Sequence, residues 1–317
     1  MSELAIGVDI GGTKMAAGLV TDEGTVVSSA RTPTDSALGA EGLWLSLRLT
    51  IAKLLADAGQ PQIRGIGVGT AGPMVWPAGE LSPVNIPAWR DFPLRERLVE
   101  AFEVPVRVIN DALALAIAEH WIGKARGCEN FLGMVVSTGV GGGLILNGRV
   151  ITGGTGHAGH IGHTVADPSG PICGCGAMGC VEAFASGPRL TAWALENGWS
   201  PHGAGRPETA EALAQDARAG DLIALSALAR AGTAIGIGLA SLAAVCDVDL
   251  VLIGGGVSNA GPLLFDPMRA SFRRHAGFGF VRRVTIEPTA SGPYAATVGA
   301  AALILHPERY WPGPSPT

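Results

Sequence analysis

Four side chains near the middle of the chain have the types and spacing of a metal shell. His163, Cys173, Cys175 and Cys180 follow the pattern H-x9-C-x-C-x4-C, and three thiolates with one imidazole complete the tetrahedral coordination that zinc prefers. A shell filled by protein leaves no position for a reactive water. The spacing therefore predicts a structural Zn2+ that pins an irregular loop, and it disfavours a zinc hydrolase. The alternative is a set of free thiols in a Gly-rich loop of a reducing compartment, where disulfides are rare. Cys128 and Cys246 stand alone and read as packed or surface thiols.

Three Gly-rich turns each follow an apolar stretch: Asp9-Ile10-Gly11-Gly12-Thr13-Lys14, Ser137-Thr138-Gly139 with the glycines up to Gly143, and Gly254-Gly255-Gly256. Glycine lets backbone N–H groups come close to phosphate oxygens, and a hydroxyl or an amine in the turn adds to the cradle. Any one of them could be an ordinary hairpin or bulge turn; three at strand ends predict phosphate binding. Neither GxxxxGK[ST] nor GxGxxG follows the first strand, which removes the main support for a P-loop or Rossmann site. Asp111 stands after the apolar run VPVRVIN and opens a helical run. A carboxylate there could take the proton of a hydroxyl that attacks phosphorus, or it could cap the helix, and the residues leave both open.

Elements must carry these groups to common edges. The opening ELAIGVDIGGTKMAAGLVTDEGTVVSSART predicts a three-stranded meander turning at Gly11-Gly12 and at Asp22-Glu23-Gly24. A helix is predicted within 41–59, a buried strand over 64–69, and a long surface loop holding Trp76 and Trp89 over 70–93. PLRERLVEAF predicts a helix, VPVRVIN a strand, and DALALAIAEHWIG a helix capped by Asn110 or Asp111. FLGMVVSTGVGGGLILNGRVI then repeats strand, glycine turn, strand, so the chain reads as two related α/β halves. After an irregular region over 152–181 come helices at about 186–197, 207–216, 220–231 and 232–246 and the strand VDLVLIGGG. A helix near 260–276, the strand VRRVTIEP, a last helix AATVGAAALILH and a Pro-rich, poorly ordered tail complete the pattern.

A length of 317 residues suggests two domains. The predicted division is 1–121, rejoined by the C-terminal helix at about 296–308; 122–295, containing the loop 156–187; and a tail, 309–317. With 47% hydrophobic and 15% charged residues, intrinsic disorder is excluded. A net charge of -5 without a Lys/Arg run argues against nucleic acid and against a polybasic membrane anchor. The uninterrupted apolar runs, such as 112–118 and 250–253, fall short of the roughly 20 residues of a membrane span, and the start lacks a signal pattern. The expectation is a cytoplasmic protein with no membrane partner.

The DIGGTK turn, the Asn110-Asp111 pair, STGVGGG, the run GHAGHIGHTVADPSGPICGCGAMGCVEAFASG and LVLIGGGVS lie in order along nearly the whole chain. In that order they resemble the ROK family of sugar kinases and sugar-responsive repressors. The run over 156–187 is most similar to bacterial N-acetylmannosamine kinases, which carry His-Ile-Gly-His where most of the family carries Glu-x-Gly-His. The resemblance implies an α/β actin-like ATPase (ribonuclease H-like) fold, with two α/β domains flanking a cleft. It implies ATP and Mg2+ at Asp9, Gly11, Gly12, Thr13, Lys14, Thr138, Gly139, Gly254, Gly255 and Gly256. It further implies Asp111 as general base toward a C6 hydroxyl and Asn110 on the ring hydroxyls. His163 and Glu182 would hold groups near C1 and C2, with His163 ligating zinc through its other ring nitrogen. A homodimer or larger assembly is favoured.

His160 replaces the usual glutamate of that motif. An imidazole offers a donor to an acetamido carbonyl, whereas a carboxylate only accepts. The exchange predicts an N-acetylhexosamine as sugar in place of plain glucose; the alternative, a His160 that merely packs the loop, stays open. Three functions compete: an ATP-dependent N-acetylhexosamine 6-kinase, a glucokinase or polyphosphate hexokinase of the same family, and a non-enzymatic sugar-sensing regulator. The regulator is disfavoured because the phosphate turn begins at Asp9, without room for a preceding helix-turn-helix domain. N-acetylmannosamine and N-acetylglucosamine differ only in configuration at C2, and no residue pattern separates them.

Overall fold

A computed structural model describes residues 2–203 and 205–314. The chain runs β1 (Leu4–Ile10), β2 (Lys14–Thr21), β3 (Val26–Pro33), α1 (Gly39–Asp57), β4 (Ile66–Thr70), β5 (Met74–Val75), β6 (Glu80–Leu81), α2 (Leu94–Phe102), β7 (Val106–Asn110) and α3 (Asp111–Trp121). It continues with β8 (Phe131–Val136), β9 (Val140–Leu146), β10 (Arg149–Ile151), α4 (Val181–Ala185), α5 (Gly187–Glu196), α6 (Ala210–Arg218), α7 (Leu222–Cys246) and β11 (Leu250–Gly254). Last come α8 (Pro262–His275), α9 (Gly279–Arg282), β12 (Thr285–Pro288), α10 (Ala295–Leu305) and α11 (Pro307–Tyr310).

The two five-stranded sheets share one plan, β3-β2-β1-β4-β7 and β10-β9-β8-β11-β12, which is the duplication visible in the two strand-turn-strand sequences. In the first, β1, β4 and β7 are parallel, and the register sets Ile10 beside Thr70 and Thr70 beside Asn110. Three strands thus end on one row. In the second, β8, β11 and β12 are parallel, with Val135 beside Gly254. Ligands gather at such carboxyl-terminal edges.

The chain divides into two compact units, one of residues 1–129, 143–159 and 289–317, the other of 130–142 and 160–288. These bounds differ from the predicted 121/122 break. Residues 143–159 return to the first unit because Gly143 lies on α3, where a Cβ would stand 2.4 Å from Leu113 Cα. Within the first unit α10 is buried along almost its whole length. Glycines let backbones touch it: a Cβ on Gly7 or Gly67 would stand 1.8 Å from a carbonyl oxygen of α10, and one on Gly299 would stand 1.7 Å from the Ala114 carbonyl of α3.

Five predicted elements are corrected. The two helices at 220–231 and 232–246 are one, α7, of 25 residues. At Gly232 and Gly236 α8 comes close, since a Cβ there would stand 2.6 and 2.4 Å from its carbonyl oxygens. Helix α7 is long and apolar enough to cross a membrane by length and composition, which no apolar run had shown, and 56% of its most apolar window is buried within the protein. The loop over 70–93 contains the β5–β6 hairpin. Its Trp89 is fully buried, stacked on Phe92, with Nε1 donating to the Ala40 carbonyl. VRRVTIEP starts as the helical turn α9 before β12. The tail holds α11, whose Tyr310 is fully buried; residues 315–317 of the expected tail lie outside the described ones.

Candidate active site

In the first unit the chemistry gathers where β1 and β7 end. The turn after β1 is tight: Gly11 N–H donates to the Lys14 carbonyl at 3.0 Å, and Thr34 Oγ1 donates to the Gly11 carbonyl at 2.8 Å. Gly12 faces Asn85, whose side chain a Cβ would meet at 2.9 Å. Thr13 and Lys14 are exposed. Asp9 is half-buried in the strand beneath, and burial, with the nearby Asp111 carboxylate, pushes its pKa up to about 6 against the pull of Lys14. Two carboxyl groups therefore feel one another at this edge. Between their strands stands Gly69, where a Cβ would lie 3.5 Å from Asp111 Cα.

Asn110 is the N-cap of α3, and Asp111 shares its donor. Asn110 has the extended backbone of an N-cap, and its Oδ1 accepts from Ala112 N–H at 3.0 Å. Asp111 is the first residue of α3, and its Oδ1 shares that donor at 2.8 Å. Burial raises the Asp111 pKa, with backbone N–H groups opposing. A carboxyl poised in this way suits a group that must take up a proton.

In the second unit Ser137 N–H closes its turn on the Gly139 carbonyl at 2.9 Å, and the N–H of Gly187, first residue of α5, donates to the Ser137 carbonyl at 2.7 Å. Beside it Gly255 takes φ +94, where a Cβ would strike the Val136 carbonyl at 2.3 Å. Thr138, Gly139 and Gly256 are exposed and Gly254 is buried at the end of β11. Glu182, in the first turn of α4, joins this turn to the cysteines. Its Oε2 accepts from Val140 N–H at 2.8 Å and its Oε1 lies 3.8 Å from Cys173 Sγ.

The ligand atoms of His163, Cys173, Cys175 and Cys180 all lie within 4.8 Å of one another. Cys175 Sγ and Cys180 Sγ are 3.8 Å apart, and Cys173 Sγ is 3.7 Å from His163 Nδ1. A zinc–sulfur bond of about 2.3 Å in a tetrahedron puts two sulfurs about 3.8 Å apart, so these edges fit the ion. Nδ1 is the ring nitrogen on the thiol side, which leaves Nε2 for another partner. The loop is tied by Val181 N–H to the Thr164 carbonyl and Gly179 N–H to the Pro171 carbonyl. His160 precedes the short turn Ile161–His163 and its ring lies 6.1 Å from that of His163, at 23°.

Thus the first unit brings together Asp9, Gly11, Gly12, Thr13, Lys14, Asn110 and Asp111, and the second brings together the other glycine turns, Glu182 and the cluster of His163, Cys173, Cys175 and Cys180, which could hold a metal ion. His157 Nε2 accepts from Met74 N–H at 3.3 Å, Trp76 covers Gly156, and His120 is buried. Thr34 and Asn85 were not foreseen, because both reach the first turn from distant loops. Arg230 was also missed: its guanidinium lies 4.3 Å from the Phe184 ring and 5.3 Å from the Trp193 ring, which braces α4 two residues past Glu182.

The ROK family pattern matches residues 5–306. A glucokinase of Thermotoga maritima is 32% identical over 94% of this chain and 96% of its own length. An N-acetylmannosamine kinase of Pasteurella multocida is 33% identical over 93% of this chain and 94% of its own. A crystal structure of a ROK family glucokinase from Streptomyces griseus, in complex with glucose and AMPPNP, superposes with a TM-score of 0.81 at 34% identity. It covers 95% of this chain and 98% of that one.

Proposed function

The chain belongs to the ROK family, has the actin-like ATPase fold and is a sugar kinase; from that premise we propose that it phosphorylates the C6 hydroxyl of an N-acetylhexosamine, with ATP as donor and Asp111 as general base. The observation that carries the chemistry is Asp111, a carboxyl of raised pKa at a strand end, beside the N-cap Asn110 with which it shares the Ala112 N–H donor. As the sugar oxygen bonds to the γ-phosphorus, Asp111 takes the hydroxyl proton; the bond from phosphorus to the β–γ bridging oxygen breaks and ADP leaves with that electron pair. Thr13, Lys14, Thr138 and the glycine turns offer hydroxyl, amine and N–H donors to the phosphates. Asp9 is the carboxylate of these turns that would hold Mg2+, an ion that neutralises phosphate charge when bound.

The four-ligand cluster would hold a structural Zn2+, and through Cys173 it adjoins Glu182. In this reading Asn110, Glu182, His163 Nε2 and His160 recognise the sugar, and the imidazole of His160 donates to the acetyl carbonyl. The active species is a homodimer or larger. Support for the amino sugar comes from His160 and from the 33% identity to an N-acetylmannosamine kinase. The 32% identity to a glucokinase supports glucose as second reading. Coupled ADP-release kinetics on glucose, mannose, N-acetylglucosamine and N-acetylmannosamine tests both. The N-acetyl sugars should show the higher kcat/KM; a clear preference for glucose would select the second reading.

A further inference from the structure

A cavity of about 510 Å³ opens in the first unit, away from the glycine turns, lined by Glu23, His120, Trp121, Ile122, Arg126 and Arg309. His120, in the last turn of α3, is 2% exposed. Burial and the Arg309 charge push its pKa down to about 4, against a hydrogen bond with the Cys128 backbone, so the ring is neutral. Arg309 Nη2 lies 3.3 Å from His120 Nε2. A guanidinium only donates, so Nε2 accepts and the ring proton sits on Nδ1. The same guanidinium carbon lies 5.2 Å from the Tyr310 ring, whose plane meets the His120 ring edge-on. Arg309 is therefore held from two sides, which lowers the entropy it would lose on gripping a ligand. Arg126, on the loop after α3, lines the same cavity, and among the described residues neither guanidinium forms an ion pair with a carboxylate.

We propose that this cavity binds the phosphomonoester of a small polyol, its phosphate between Arg126 and Arg309 and its hydroxyls toward Glu23 and Trp121. Guanidinium forks match phosphate oxygens, a carboxylate accepts from hydroxyls, and the volume is that of an ordinary small-ligand pocket. Helix α3 runs from Asp111 to this cavity, a distance of about 14 Å between Asp111 and His120 at the helical rise. An occupant therefore bears on the helix that carries the proposed base.

The ester could be the enzyme's own sugar 6-phosphate or another phosphomonoester. Isothermal titration of the full chain, with N-acetylmannosamine and an ATP analogue present to fill the reaction site, distinguishes them with four probes: N-acetylmannosamine 6-phosphate, glucose 6-phosphate, glycerol 3-phosphate and inorganic phosphate. Saturable binding of at least one organic ester is expected, weakened 10-fold or more by Arg126→Ala and by Arg309→Ala. Basal kcat/KM should stay within twofold. Tightest binding of the hexose 6-phosphates identifies the product as occupant, and tightest binding of glycerol 3-phosphate identifies the other source. Arg126 is exposed and its backbone N–H donates to the Gly123 carbonyl, a bond alanine keeps, so that variant reports even where Arg309→Ala unfolds. Absence of binding by every ester, equal binding by wild type and Arg126→Ala, or inorganic phosphate binding as tightly as the esters overturns the proposal.

Discussion

Asp9 and Asp111 show how a site can work against stability. The folded pKa of Asp9, about 6, stands above its ordinary 3.8, so the folded state binds this proton more tightly than the unfolded chain does. The stabilising contribution is complete below about pH 4 and is lost as pH rises through about 6. At neutral pH the protein carries an ionised Asp9 at a cost. Asp9→Asn should therefore raise Tm at pH 7.5 and leave it nearly unchanged at pH 4, while turnover falls; equal effects at both pH values would remove burial as the cause. Asp111→Asn should keep the fold, since Asn110 remains the cap, but lose more than about 100-fold in kcat because an amide cannot take the proton. A variant that retains most of its kcat returns Asp111 to a structural role. For His160 the expectation concerns selectivity. His160→Glu should move the kcat/KM ratio toward glucose by roughly 10- to 100-fold, the worth of one hydrogen bond in a closed site. If both sugars merely slow in parallel, His160 holds the loop and selectivity lies elsewhere. All three positions were singled out from residue type, and what the backbone adds is that Asn110 is the N-cap and Asp111 the first residue of α3.

At the scale of elements, what was legible was local. Strand, glycine turn and strand appear in the sequence because alternation and turn chemistry act over a few residues, and the cysteine spacing announces its own loop. What stayed hidden depends on partners far along the chain: the predicted division at 231/232 gives way to one helix with α8 against Gly232 and Gly236, and Trp89 looks like a loop residue until α1 accepts its N–H. The cysteine loop has little regular structure, with a short helical turn at Ile161–His163, several tight turns, and isolated bridges at Val165 and Ile172. Backbone hydrogen bonds tie it at Thr164, Pro171 and Gly179, and a metal on the four side chains would add a further tie. Cys175→Ser, at the exposed ligand, should therefore reduce bound zinc, lower Tm and raise the sugar KM, because Glu182 and His163 lose their common anchor. Metal analysis of the wild type is the check; well under one zinc per chain would sink the prediction.

Over the whole molecule, the chain passes between the two units four times, at residues 129/130, 142/143, 159/160 and 288/289, and one buried carboxylate secures segments next to two of these points. Glu119 is fully buried in α3. Its Oε1 accepts from the N–H groups of Ala290 and Ser291, each at 2.8 Å, and from Ser291 Oγ at 2.6 Å, while Oε2 accepts from Lys124 N–H at 2.9 Å. The sequence shows Glu119 only as a polar residue in an apolar helix, because its partners at Ala290 and Ser291 lie 171 and 172 residues away. A buried carboxylate with four donors is stabilising only while the set is complete. Glu119→Ala leaves three N–H groups and a hydroxyl without their acceptor and should cost about 3–5 kcal/mol in denaturant unfolding, the loss typical of breaking a buried charged network. Glu119→Gln keeps an oxygen for Ala290 and Ser291 but turns an amide toward Lys124, and should cost less. Hydrogen exchange locates the effect, since the Ala290 and Ser291 amides should exchange faster in the alanine variant while those of β8 and β11 do not. A loss of stability without that local change would mean that Glu119 fills volume and that its hydrogen bonds are incidental.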